Sequence, residues 1–157
     1  MMQAADVVDF WRAAGAEKWF GKDAAFDADF RDRFLAAHEA AASGALDSWA
    51  ETADGALALM ILLDQFPRNA FRGTARMFAT DAKALVLADA AIGAGLDAEV
   101  EPALRAFLYL PFEHSEALAD QDRALALFRP LGADLLHWAE VHHDIIVRFG
   151  RFPHRNA

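Results

Sequence analysis

The stretch from Gly55 to Leu63, GALALMILL, carries no polar side chain in nine consecutive residues. Ala, Leu and Met are strong helix formers, so the expected helix is apolar on every side rather than along one stripe. It falls far short of the ~20 residues needed to cross a bilayer. The remaining way to take that surface out of water is to wrap the helix in the rest of the chain, which makes it the expected centre of an all-α core. At 157 residues, 55% of them apolar, the chain is long enough to do this as a single domain.

The flanking segments show helical period throughout. Ala4 to Ala14 predicts a first helix, stopped by Gly15. Asp23 is a good N-cap for a second that runs to Ser43, with Gly44 placed as its stop. Phe26, Phe30 and Phe34 recur every four residues, and Leu35 and His38 continue that face. A lone histidine on such a face is more often a satisfied core residue than a functional one. The apolar helix itself reads from about Asp54 to Phe66 and is ended by Pro67. A fourth helix opens at a Thr80–Asp81 cap and closes near Gly93 or Gly95. A fifth runs from about Glu99 to Leu110 and is broken by Pro111. A sixth spans about Ala119 to Phe128, and a seventh Ala133 to Phe149, ending at Gly150. No alternating β-branched run bounded by turns occurs, so no sheet is expected. Short connections favour antiparallel hairpins, the second helix with the third, the fourth with the fifth and the sixth with the seventh.

Charge and composition exclude several functions. A net charge of −9 opposes nucleic acid and anionic membrane surfaces. The absence of cysteine removes disulfides and thiolate metal sites. The start, MMQAADVVDFW, has no basic region before an apolar run and does not read as a signal peptide, so a cytoplasmic chain is expected. There is no Gly-rich phosphate loop, no Gly-x-Ser-x-Gly elbow and no His-Glu-x-x-His, and no cofactor is expected. Glu140 and His143 form one Glu-x-x-His, but di-iron bundles need two plus further glutamates, so no metal is expected either.

The basic residues are unevenly placed. Twelve of the fifteen are arginine, and six of these fall in two short stretches, Arg68, Arg72 and Arg76, then Arg148, Arg151 and Arg155. Arginine is favoured where a planar fork must grip carboxylate or phosphate, so the clustering suggests a local anion site, with internal ion pairing as the equal alternative. Three segments could carry chemistry. In Asp64-Gln65-Phe66-Pro67-Arg68-Asn69, the carboxylate follows an apolar run and needs Arg68 or Arg72 as partner. In Glu113-His114-Ser115-Glu116, an imidazole sits beside two carboxylates and could act as acid or base. The third joins His142-His143-Asp144 to Arg151-Phe152-Pro153-His154-Arg155-Asn156, whose Phe-Pro and Arg-Asn echo the first segment.

These segments, together with DVVDFW, WFGKD, LDQFPRNAFRGTARMFATD, FLYLPFEHSEALADQ and HHDIIVRFGRFPHRNA, resemble in order and spacing a bacterial family known as domain of unknown function 924. The resemblance covers nearly the whole chain. It implies a tetratricopeptide-like helical superhelix in bacterial cytoplasm and no named activity. It also implies a further acidic and Phe-rich segment beyond the His-Arg-Asn run, which would supply one wall of a pocket.

Two functions compete on these residues. In the first, Arg68, Asn69, Arg72, Arg151, Arg155 and Asn156 bind an anionic small molecule. There His114 and His154 serve as acid–base groups, with Asp64, Glu113 and Glu116 as their carboxylates. In the second, a tetratricopeptide-like scaffold presents a groove to a partner peptide. A deep pocket where the segments meet would favour the first, and a long concave strip the second. The two Phe-Pro loops are expected to lie side by side facing His114, because both follow helices expected to be central.

Overall fold

The computed structural model describes residues 2–155. They form nine α-helices, with no strand among the described residues. These are α1 (Ala4–Ala14), α2 (Ala16–Phe20), α3 (Ala24–Ser43), α4 (Ala53–Met60), α5 (Phe66–Ala70), α6 (Asp81–Gly93), α7 (Pro102–Glu113), α8 (Leu118–Phe128) and α9 (Ala133–Phe149), with short 3-10 turns between several of them. Caps set the ends as the sequence suggested. The Asp23 carboxylate accepts the Phe26 N–H at 3.0 Å, and Gly44 and Gly150 close α3 and α9 in the left-handed conformation.

Every residue from Gly55 to Pro67 is buried. Around this rod pack α1 through Val7, Val8 and Trp11, α3 through Phe30 and Phe34, α6 through Ala84 and Ala88, and α7 through Leu104 and Phe107. Aromatic rings fill the space between the layers. Phe10 stacks on Phe30 at 5.4 Å, and Trp11 meets the edge of Phe107 at 5.4 Å. The expected pairs of α6 with α7 and of α8 with α9 are present, and α3 packs on the second half of the rod.

Three readings need correction. Pro67 does not end the central helix, because a single π-helical turn, Ile61–Gln65, joins α4 to α5. In that turn the Phe66 N–H reaches back to Ile61, leaving the Leu62 carbonyl to His38 Nδ1 at 2.7 Å. Pro67 has no N–H to offer Leu63, whose carbonyl accepts the Thr80 hydroxyl at 2.6 Å instead. The Thr80 side chain is therefore spent on the rod and does not cap α6. Pro111 likewise does not break α7, which continues to Glu113 and closes with the His114 N–H on the Leu110 carbonyl at 2.9 Å. Finally, α9 is peripheral. It buries only Ala139 and Ile146, packs mainly on α8, and leaves Trp138, Val147 and Phe149 exposed.

Candidate functional site

The π turn places Asp64 on the inner side of the rod, where its side chain is completely buried. Such a carboxylate must be matched by donors. Arg68, one turn on, donates Nη1 to Asp64 Oδ1 at 3.2 Å and to the Asp64 carbonyl at 2.9 Å. Gln65 Nε2 donates to Oδ2 at 2.8 Å. From the C-terminus of α7, His114 Nδ1 lies 2.8 Å from Oδ1. Burial alone pushes Asp64 up, but attraction to His114 and Arg68 and these hydrogen bonds hold it down at about 2. An ionised carboxylate only accepts, so the His114 hydrogen is on Nδ1. Burial and the Arg68 charge lower His114 despite Asp64, which leaves a neutral imidazole with its lone pair on Nε2.

Arg68 is shared. Its Nη1 and Nη2 also grip Asp81 at 2.7 and 2.9 Å, a two-pronged pair at the start of α6. Arg155 approaches the same carboxylate, its Nη2 lying 3.8 Å from Asp81 Oδ2. The Arg155 guanidinium lies 4.5 Å from the Phe78 ring centre and 4.7 Å from that of Phe152. Its Nη2 donates to the His114 carbonyl at 2.8 Å, while its buried Nε has no partner among the described residues. Glu116 accepts the Phe152 N–H at 2.6 Å and so fastens the C-terminal loop to the α7–α8 connection. The two Phe-Pro segments, the first of them helical in α5, thus do meet beside His114. They are brought there by Asp81, Glu116 and the His114 carbonyl, and not by the parallel core helices expected from sequence.

Glu113 is also buried, with Oε2 3.8 Å from His142 Nδ1. Burial and the Asp64 charge push its carboxyl up to about 8, against the pull of Arg68. His142 donates Nδ1–H to the Trp138 carbonyl at 2.7 Å, so its lone pair too is on Nε2. Burial lowers its pKa.

Two cavities adjoin these groups. The first, about 420 Å³, is walled by Arg68, Phe78, His114, His142, Phe152 and Arg155, with His154 also on its lining. The second, about 480 Å³, shares Arg68, His114 and His142 and is otherwise mainly apolar, with Glu113 and Gln65 among its polar groups. A larger open depression, about 740 Å³, between α1 and α3 contains none of the candidate residues.

The other sequence candidates divide as follows. Asn69 and Arg72 turn away from both cavities and hold Asp27 of α3, through Asn69 Nδ2 at 3.0 Å and Arg72 Nε at 2.7 Å. Placing them beside Arg68 was an error of direction: a neighbour on a helix is rotated by about 100°, and Arg72 lies beyond the end of α5. Arg151 is exposed and lines neither cavity. Asn156 lies outside the described residues. Arg76 and Arg148 make exposed ion pairs with Glu39 and Asp144, so internal pairing accounts for much of the arginine clustering. His38 is a core residue stacked on Phe66 at 4.9 Å. His143 Nε2 pairs with Asp122 at 2.7 Å across α8 and α9. The sequence reading missed Asp81, which looks like an ordinary acidic residue in the first turn of a helix. It also passed over Phe78, and it held His142 and Phe152 only as members of the third segment, without a role of their own.

These contacts define an all-helical protein whose polar centre is assembled from sequence-distant helix ends and the C-terminal segment around a π turn in its central helix. Within that class the chain belongs to the bacterial family of unknown function called DUF924, whose model matches residues 7–157. It is similar to a protein of unknown function from Agrobacterium tumefaciens, with 61% identity and a TM-score of 0.96 over 98% of this chain and 87% of that one. No curated protein matches it.

Proposed function

We propose that the protein takes a small anionic molecule into the cavity walled by Arg68 and Arg155, and that His114 acts on it as a base through Nε2. The observation that carries this is the buried Asp64–His114 contact of 2.8 Å beside that cavity. It fixes one tautomer and aims the reactive nitrogen away from the carboxylate, the arrangement that general-base chemistry requires. Glu113, held protonated at neutral pH, offers a proton donor on the adjoining cavity. A cavity where three segments meet supports a small ligand over a peptide laid along a scaffold groove.

The charges at this centre nearly cancel. Arg68 and Arg155 stand against Asp64 and Asp81, with the neighbouring imidazoles of His114 and His142 neutral. An entering anion is balanced by proton uptake on the His142 imidazole, which leaves the His114 lone pair free to act as the base. The test is calorimetric titration with inorganic phosphate and with acetate, in buffers of different ionisation heat, alongside thermal shift. Anion-dependent stabilisation with proton uptake is expected, and its loss in Arg155→Met and weakening in His154→Ala. If neither anion binds, or if binding survives Arg155→Met unchanged, the proposal fails.

A further inference from the structure

The two cavities differ in lining but share a wall. Arg68, His114 and His142 border both. On one side stand Arg155 and its flanking rings. On the other, Leu110, Phe128 and Leu135 form an apolar lining, extended by Phe20 and Trp138. Those last two rings are 61% and 59% exposed and carry the apolar lining out to the surface. Each cavity is within the ordinary range for a small-molecule site, and together they offer a polar compartment and an apolar one.

We infer that the two cavities are compartments of one site for an amphipathic anion, whose charged head lies by Arg155 and whose apolar tail lies against Phe20, Leu135 and Trp138. This rests on the reading of the Arg155 cavity as an anion site and adds the class of ligand. His114 borders both compartments, so the junction between head and tail would lie beside the proposed base. Arg68 cannot serve as the main anchor, because Asp64 and Asp81 already occupy its guanidinium. Arg155 lines the polar cavity, spends Nη2 on the His114 carbonyl and stands 3.8 Å from Asp81 without the two-pronged grip that holds Arg68, so it is the head-group residue. Along Phe20, Leu110, Phe128, Leu135 and Trp138 the second compartment selects the tail by length and bulk, since those side chains read it by apolar contact.

The experiment is a binding series of acetate, butyrate, hexanoate and octanoate on the full chain, measured beside inorganic phosphate. Tail burial predicts about fourfold tighter binding per methylene until the compartment is full. Trp138→Ser and Phe20→Ser each remove an exposed ring, and because Phe20 also stacks on Phe107 at 6.1 Å, thermal unfolding checks that variant's fold. Each should flatten that slope while leaving phosphate and acetate binding unchanged. Phosphate binding with no chain-length slope, whether the apolar cavity stays empty or a second copy of the chain covers it, overturns this inference and spares the anion site. A slope that both serine variants retain also overturns it, since the tail would then lie elsewhere. Failure of phosphate and of every carboxylate to bind removes both readings.

Discussion

Replacing Glu113 by Gln should make the protein more stable, and increasingly so as the pH rises. In the unfolded chain this carboxyl titrates near 4.5, whereas in the folded protein burial and the Asp64 charge hold it up at about 8. Between those values the folded state carries one proton more than the unfolded state, so stability falls as pH rises. The slope is ~1.4 kcal/mol per pH unit, which over this interval amounts to on the order of 5 kcal/mol. The full contribution is present below 4.5 and is lost by the time the pH passes about 8. Five kcal/mol is a large share of the stability of an ordinary domain, about 5–15 kcal/mol. Gln has nearly the shape of the protonated acid and never ionises, so the variant escapes this loss. Urea denaturation at pH 5, 7 and 9 measures it directly. The difference between variant and parent should be small at pH 5, grow through pH 7 and level off by pH 9. A difference that is the same at all three would mean that Glu113 titrates in its ordinary range when folded, and the argument from burial beside Asp64 would be wrong.

Asp64→Asn should cost about 3–5 kcal/mol, as expected when one member of a buried ion pair is removed, and it should flatten the rise of stability between pH 2 and 4. That rise exists because Asp64 is held down at about 2, so its contribution is present above its ordinary value of 3.8 and disappears as pH falls toward 2; an unchanged acid limb in urea titrations would refute it. Thr80→Val should cost about 1–3 kcal/mol by stranding the Leu63 carbonyl, whereas Thr80→Ser should be close to neutral, and a loss in Thr80→Ser with none in Thr80→Val would show that the methyl group matters instead. Gly55→Ala should destabilise by about 3 kcal/mol or more, because a Cβ there would stand 1.9 Å from the Trp49 carbonyl oxygen; a melting temperature equal to the parent's would be inconsistent with this close approach.

Helix ends with a local chemical signal were legible in the sequence. Asp23, Gly44 and Gly150 mark boundaries through contacts within a few residues, and α3 and α9 begin and end where those residues place them. The two prolines misled because the rule for proline is local, while its accommodation here is not. Pro67 is tolerated by a hydroxyl thirteen residues further along the chain, and Pro111 forgoes one ladder bond, to Phe107, inside a helix that still closes through the His114 N–H on Leu110. In the centre, the pairing of Asp64 with Arg68 follows from their spacing on a helix, and it is present. The approach of His114 to Asp64, fifty residues apart, and the bridging role of Asp81 depend on how α6 and α7 dock, which no short-range pattern encodes. The apolar residues of α9 suggested a central helix because periodicity reports how much surface wants covering, not what covers it.

The π turn also works as a register device. A helix advances by about 100° per residue, so one extra residue in a turn rotates everything after it by that amount relative to everything before. In this chain α4 faces α1, α6 and α7, while α5 faces α3. The change of face occurs where the ladder widens between Ile61 and Gln65. Deleting any one residue there would leave the composition of the rod almost untouched, yet it would swing Arg68 away from Asp81 and Asn69 away from Asp27 together. The orientation of the polar centre is thus written partly in a residue count, and homologues that keep the centre should preserve the length of this segment more strictly than the identity of its apolar side chains.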